Sequence, residues 1–284
     1  MKKSDTAFNP WEVKGDIDYQ KLIKEFGIAS LEGLPPIFTK NLLFRRKIVF
    51  AHRDIQRIIL AIKEKKPFVM MTGFMPSGKF HIGHMLVAQQ MVFYQSLGAK
   101  IYISVADLEA YNTRSLNLEE SKKIALEQYI LNYLALGLNP KKTDIYFQSY
   151  RSKDSKKSNA YYRLQNILAR HVTFNEVKAV YGEITPGKMI SALLQASDML
   201  HPQLPEFENP IPVIVPVGID QDPHLRLARD LSQRIKAPKF VQLSSTYHLF
   251  TPGLSGGKMS SSDPSSYIAL TDSKEEVERK IKKY

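Results

Sequence analysis

Two histidines three residues apart, His81 and His84, open an apolar helical pattern that runs from Ile82 to about Leu97. Before them come a short apolar run, Phe68-Val69-Met70-Met71, which ends at Gly73, and a Pro76-Ser77-Gly78 turn. Residues at i and i+3 share a helix face. That face lies at the positive end of the helix dipole, beside backbone N–H groups with no partner in the helix. Imidazoles placed there can stabilise charge building on a triphosphate. Gly83, lacking a side chain, lets a flat base approach the backbone. The bland alternative is that His81 caps the helix and His84 packs in the core. An isolated pair would favour that alternative; the position directly after a strand favours phosphate binding.

Gly73-Phe74-Met75-Pro76-Ser77-Gly78-Lys79-Phe80 also spells most of a Walker A loop, and a strand ending in Asp107 mimics its Walker B partner. A phosphate loop needs Ser or Thr after the lysine to hold Mg2+, and Phe80 stands in that place. The P-loop NTPase reading, which would make Lys79 essential, is therefore the weaker one.

A second candidate is Gly256-Gly257-Lys258-Met259-Ser260-Ser261-Ser262. The glycines give a mobile loop, Lys258 a compact positive charge, and the serines hydroxyl and backbone donors. A flap that carries Lys258 to a pyrophosphate would favour the transition state over the ground state. Taken alone, the segment reads equally well as a flexible Gly/Ser linker.

The elements that must position these residues follow from periodicity. Helical spacing covers Asp18 to Phe26 and Asp54 to Lys63, separated by a Gly33-Leu34-Pro35-Pro36 loop. Strand patterns at 68–73, 100–107 and 144–148 alternate with helices at 82–97 and 118–136, which predicts parallel strands with crossover helices. A helical block follows at 159–200, broken at Tyr181-Gly182 and Pro186-Gly187. A strand at 211–217, a helix at 222–234 and a Gly/Ser-rich loop at 253–266 complete the pattern. The expected fold is α/β, a doubly wound, Rossmann-like parallel sheet in two halves with a helical insertion and an N-terminal extension. The expected divisions are an extension with helices at 1–66, the first half at 67–158, the insertion at 159–205, the second half with the flap at 206–272, and a helical segment from 273 to 284. Ligands in such sheets bind at the carboxyl ends of the strands where the halves meet, and both motifs fall there.

Bulk properties bound the answer. The 284 residues, 43% hydrophobic, can bury a sizeable core. No run of about 20 apolar residues exists to span a membrane, and Met1-Lys2-Lys3-Ser4-Asp5 leads into polar sequence, not a secretory signal. The absence of cysteine excludes disulfides, thiol catalysis and cysteine-held metals, and it suits a cytoplasmic enzyme. Forty Lys and Arg against 28 Asp and Glu leave a formal charge of +12, a weak pointer to nucleic acid. The histidines are few and scattered, so no zinc site is expected.

Together the two motifs resemble the paired signatures of class I aminoacyl-tRNA synthetases, the flap in its KMSSS form. Longer strings resemble the tryptophanyl enzymes of archaeal and eukaryotic type. They are Asn9-Pro10-Trp11-Glu12-Val13 with Ile17-Asp18-Tyr19, Phe44-Arg45-Arg46-Lys47 with Phe50-Ala51-His52-Arg53-Asp54, His171-Val172-Thr173-Phe174-Asn175 with Lys178, and Val217-Gly218-Ile219-Asp220-Gln221-Asp222-Pro223-His224. The resemblance covers nearly the whole chain. It implies activation of tryptophan by ATP with Mg2+, transfer to tRNA(Trp), and a homodimer built on the insertion. Tyrosine is the runner-up substrate. A basic RNA-binding relative without catalysis is the non-enzymatic alternative.

Carried over residue by residue, the resemblance implies catalytic roles for His81, His84 and Lys258. It implies ATP contacts at Gly73, Pro76, Ser77, Gly83, Gly218, Asp220, Met259, Ser260, Ser261 and Ser262. Amino-acid contacts fall at Met71, Ser104, Glu109, Gln195, Asp198 and Gln221, with Gln195 and Glu109 facing the substrate ammonium. One departure matters. Eukaryotic relatives read the indole N–H with a tyrosine and a glutamine where this chain has Met71 and Ser104. A methionine packs against an indole but accepts a hydrogen bond weakly, so Asp198 or Ser104 is the expected acceptor. The family continues past this point into a helical anticodon-binding domain, whereas the chain stops at Tyr284, soon after a capped helix start at Ser273. It reads as a fragment or as a reduced enzyme.

Overall fold

The computed structural model describes residues 8–9, 12–13, 19–114, 116–261 and 263–283. Pro10, Trp11, Ile17 and Asp18 of the quoted strings lie outside these, as does Ser262 of the flap. A short antiparallel pair, β1 (Phe8–Asn9) and β2 (Glu12–Val13), precedes helix α1 (Tyr19–Phe26), β3 (Ala29–Ser30), helices α2 (Pro36–Thr39) and α3 (Leu42–Arg45), β4 (Val49–Arg53) and α4 (Gln56–Lys63). The first half-sheet follows as β5 (Val69–Phe74), α5 (Ile82–Ser96), β6 (Lys100–Val105), α6 (Asp107–Arg114), α7 (Leu118–Ile124), a π-helical turn at Ala125–Ile130, α8 (Leu131–Ala135) and β7 (Thr143–Phe147). Helices α9 (Ser155–Arg170), α10 (Phe174–Tyr181) and α11 (Pro186–Leu200) form the insertion. Then come β8 (Val213–Gly218), α12 (Asp222–Arg234), β9 (Ser244–His248) and α13 (Lys274–Lys283).

Among the described residues the main sheet has seven strands in the order β3-β4-β9-β8-β5-β6-β7. From β9 to β7 all pairings are parallel, and chain direction reverses its march between β5 and β8, the doubly wound arrangement. β5 and β8 are buried almost throughout, as expected of strands covered on both faces. Successive residues point to opposite faces. Val69, Met71 and Tyr102 face the core beneath the insertion and α12, while Met70, Ile101 and Ile103 face the core beneath α4 and α5.

The sheet differs from the expected all-parallel one at its edge. β4 pairs antiparallel with β9, and β3 pairs antiparallel with β4. The 118–136 helix contains the π-helical turn, and the insertion has a further break at 171–173. There Thr173 caps α10, its Oγ1 accepting from Glu176 N–H at 3.2 Å while Glu176 accepts from Thr173 N–H at 2.7 Å.

β5 and β8 pair only at Val69 with Val213 and Met70 with Ile214. Pro216, two residues on, has no N–H to give a ladder. Beyond that point the two strands part, and the carboxyl end of the sheet opens.

Candidate active site

The opening between β5 and β8 is a cavity of about 460 Å³. His81, Gly83 and His84 line it from the start of α5, Lys258, Met259, Ser260 and Ser261 from the flap, and Gly218, Asp220 and Gln221 from the end of β8. Met71, Gly73 and Ser77 line it from β5 and its turn, with Ser104, Glu109, Gln195 and Asp198 deeper in. One expected residue is not part of the lining: Pro76 is buried and does not border the cavity.

His81 does cap α5, as the bland reading has it, yet it also faces the cavity. Its Nδ1 accepts from Gly83 N–H at 3.1 Å, and His84 Nδ1 accepts from His81 N–H at 3.2 Å. An Nδ1 that accepts carries no proton, so each neutral ring keeps its Nε2–H to donate. The rings stack with centroids 3.8 Å apart. Burial, reinforced by Lys258, lowers His81 to about 4; burial, His81 and Lys258 lower His84 to about 3. These are hydrogen-bond donors at neutral pH, not cations. Gly83 is required by this arrangement, because a Cβ there would stand 2.9 Å from the His81 ring.

The flap is a closed hairpin. Met259 N–H donates to Thr251 O at 3.0 Å, and Pro252 bridges to Lys258 across a turn at Gly256-Gly257. Lys258 Nζ sits 2.8 Å from Asp220 Oδ2 and 4.5 Å from the centroid of the Phe250 ring. The flap rests on the first motif. Ser261 Oγ is 3.3 Å from Ser77 Oγ, and the Ser261 carbonyl lies so close to Gly78, at φ +68°, that a Cβ would stand 2.5 Å from it. The π-helical turn supports this seat: Tyr129 OH donates to Ser77 O at 2.9 Å, and its ring stacks on Phe74 at 4.4 Å.

The deeper end is acidic. Gln195 Nε2 donates to Glu109 Oε2 at 2.7 Å, and Gln195 Oε1 accepts from His224 Nδ1 and, at 3.2 Å, from Tyr181 OH. Burial pushes Glu109 up to about 7, the Gln195 bond opposing and the Asp198 charge adding to the rise. Asp198 accepts from Tyr146 OH at 2.6 Å, Tyr161 OH at 2.7 Å and Gln148 Nε2 at 2.8 Å. Burial still raises it, against the pull of those bonds. Ser104 Oγ stands close enough to the Asp198 carboxylate and Tyr146 hydroxyl to interact with them, but it meets neither in hydrogen-bond geometry.

Lys79 and Asp107, the decoys, serve elsewhere. Lys79 Nζ points to Asp272 at 3.3 Å, outside the cavity. Asp107 accepts from the Ser149 N–H at 3.0 Å and from the Ser149 hydroxyl. The cavity also holds Gln148, His224, His248 and Phe250, which the sequence reading left without a role. Gln148 closes the third strand pattern and His224 ends a quoted string, so both carried a positional signal. Among the described residues no group of three or more His, Asp or Glu stands together as a metal site, and no helix is long and apolar enough to cross a membrane.

This geometry matches a known family. The model for class I tRNA synthetases of the tryptophan and tyrosine type matches residues 63–284. Tryptophan–tRNA ligase of Methanocaldococcus jannaschii is 45% identical over 278 residues, 96% of this chain and 73% of that protein. The Aeropyrum pernix ligase is 44% identical over 279 residues, with the same coverage of 96% and 73%. Among solved structures, tryptophanyl-tRNA synthetase of Aeropyrum pernix K1 superposes with a TM-score of 0.86 at 45% identity, covering 93% of this chain and 72% of that one. The tryptophan-bound enzyme of Encephalitozoon cuniculi superposes with a TM-score of 0.79 at 27% identity, covering 94% and 78%. With a histidine pair at a helix mouth and a lysine-serine flap on one cavity of a doubly wound sheet, the chain belongs to the class I tRNA synthetases of the tryptophan and tyrosine branch.

Proposed function

We propose that this chain activates tryptophan with ATP to tryptophanyl-adenylate and transfers it to tRNA(Trp). The observation that carries the reading is the single cavity with cationic and N–H donor groups at one end and Glu109, Gln195 and Asp198 at the other. The substrate carboxylate attacks the α-phosphate, pyrophosphate leaves, and the 3′-terminal adenosine of the tRNA then takes the aminoacyl group. No protein nucleophile is needed; positioning and charge stabilisation suffice.

His81 and His84 donate Nε2–H to the triphosphate, with Gly83 leaving the backbone open to adenine. Lys258 exchanges Asp220 for the pyrophosphate as it forms, assisted by Met259, Ser260, Ser261 and Ser262. Gly73, Ser77 and Gly218 shape the nucleotide wall. Mg2+ carried in by ATP screens the phosphate charge, and Asp220 is a carboxylate within that region. Glu109 and Gln195 hold the ammonium, while Gln221 approaches the substrate. Met71 packs against the indole, and Asp198 accepts its N–H, since three neutral donors leave that carboxylate a further lone pair. Ser104, beside Asp198, is the second acceptor. The enzyme works in the cytoplasm, as a homodimer through the insertion, where Phe174 and Ile190 stand exposed.

Pyrophosphate exchange into ATP with each of the twenty amino acids tests the reading. Exchange with tryptophan alone supports it. Exchange with tyrosine moves the chain to the sister activity, and ATP hydrolysis without any amino acid, or no reaction at all, overturns it.

A further inference from the structure

Lys79 is the charged residue of the first motif that does not line the cavity, and its partner explains it. Asp272 lies in the return from the flap to α13, and its side chain is 0% exposed. Both of its oxygens are hydrogen-bonded. Oδ2 accepts from Ala269 N–H at 2.9 Å and from Lys280 Nζ at 2.6 Å, and Oδ1 accepts from Lys79 Nζ at 3.3 Å. Lys280 is buried although α13 is an outer helix, and its Nζ also donates to Tyr267 O at 3.0 Å. A desolvated carboxylate is costly unless paired and hydrogen-bonded, so losing any of these partners would penalise the arrangement.

Every limb of the cluster ends beside His81. Lys79 precedes it by two residues. Ala269 forms a bridge with His81 itself, and that bridge is framed by Leu270 N–H to Phe80 O at 3.0 Å and Ile82 N–H to Ile268 O at 3.2 Å. The Tyr267 ring leans on the His81 ring with centroids 5.0 Å apart. Met259 of the flap packs with Tyr267, Ala269 and Ile82 in a small apolar cluster. From this geometry we infer that Asp272, with Lys79 and Lys280, is a positioning centre that fixes the His81 turn and the return limb of the flap in register for ATP. The inference rests on the proposed adenylation site but concerns its nucleotide half alone.

An ion cluster that merely anchored α13 would affect melting and nothing else. The positioning role predicts a split between the two substrates. The test compares Lys79→Met and Asp272→Asn with the wild-type chain, by calorimetric titration of ATP and of tryptophan and by tryptophan-dependent pyrophosphate exchange. A misplaced phosphate site should weaken ATP affinity and raise its KM by about 10- to 100-fold in Asp272→Asn, and by about 3- to 10-fold in Lys79→Met, with tryptophan affinity unchanged. Lys79 is half-exposed, so Lys79→Met remains informative even if Asp272→Asn does not fold. ATP affinity in Lys79→Met within about twofold of wild type overturns the proposal, as does an equal loss for the two substrates. A wild-type chain that binds ATP but exchanges nothing refutes the adenylation reading instead, and ATP titration of the variants still decides the positioning role.

Discussion

Lys258 Nζ and Asp220 Oδ2 are 2.8 Å apart, which ties the flap to the end of β8 across the mouth of the cavity. Asp220 is buried and Lys258 is half-exposed, so the carboxylate depends on the pair more than the ammonium does. The pair is also a reservoir, since a pyrophosphate offers Lys258 more negative charge than one carboxylate. Lys258→Ala is expected to cost about 2–4 kcal/mol of transition-state stabilisation, read as a fall in kcat for exchange, with tryptophan affinity nearly unchanged. Lost tryptophan affinity at an unchanged adenylation rate would remove Lys258 from the phosphate role.

Glu109, pushed up to about 7 by burial, should ionise when an ammonium arrives. Tryptophan affinity is therefore expected to fall as pH drops through about 7. Glu109→Gln should weaken tryptophan binding and flatten that dependence, with ATP affinity unaffected. A pH profile of kcat/KM for tryptophan in the two proteins provides the check, and an unchanged slope in the variant would refute the assignment.

Histidine burial has a stability consequence of definite sign. His81, His224 and His248 are lowered to about 4 and His84 to about 3, chiefly by burial. As pH falls below the ordinary 6.5, the unfolded chain takes up these protons before the folded one does, so stability is lost progressively between about 6.5 and about 3. Glu109 and Asp198, both shifted upward by burial, act in the opposite direction. Urea midpoints measured across this window should decline with falling pH, and His84→Asn should make the decline shallower. A flat profile would mean that these imidazoles are already solvated.

Tyr129→Phe removes the donor to Ser77 O while keeping the ring on Phe74. Loss of this partly buried hydrogen bond predicts a loss of about 0.5–1.5 kcal/mol of stability. Loosening of the turn on which Ser261 rests should raise the KM for ATP and spare that for tryptophan. Thermal unfolding and exchange kinetics on the same variant separate the two effects, and equal KM values for ATP would confine Tyr129 to packing.

Much of this site was legible because its signals are local. The histidine pair, the flap and the apolar runs of β5, β6 and β8 are each written within a dozen residues, and burial on two faces makes those strands read as continuous apolar segments. β9 was not legible. Ser244-Ser245-Thr246 looks like a polar loop, yet all three are fully buried. Their hydroxyls bond Asp54 O at 2.7 Å, Val215 O at 2.6 Å and Gln90 Oε1 at 3.1 Å, partners far away in sequence. Missing β9 meant missing His248 at its carboxyl end. The real partner of Lys79 was hidden for the same reason, since Asp272 lies 193 residues away. Pro76 shows the converse: a residue inside a motif can be buried away from the cavity that its neighbours line.

The antiparallel edge of the sheet bears on how the chain is made. β4 is synthesised early, but its partner strand is not complete until residue 248, and Arg53 meets Tyr247 across 194 residues. Until then Val49 and Ala51, wholly buried in the finished protein, lack the strand that pairs with them. Contacts of such long range form slowly and leave sticky surface exposed.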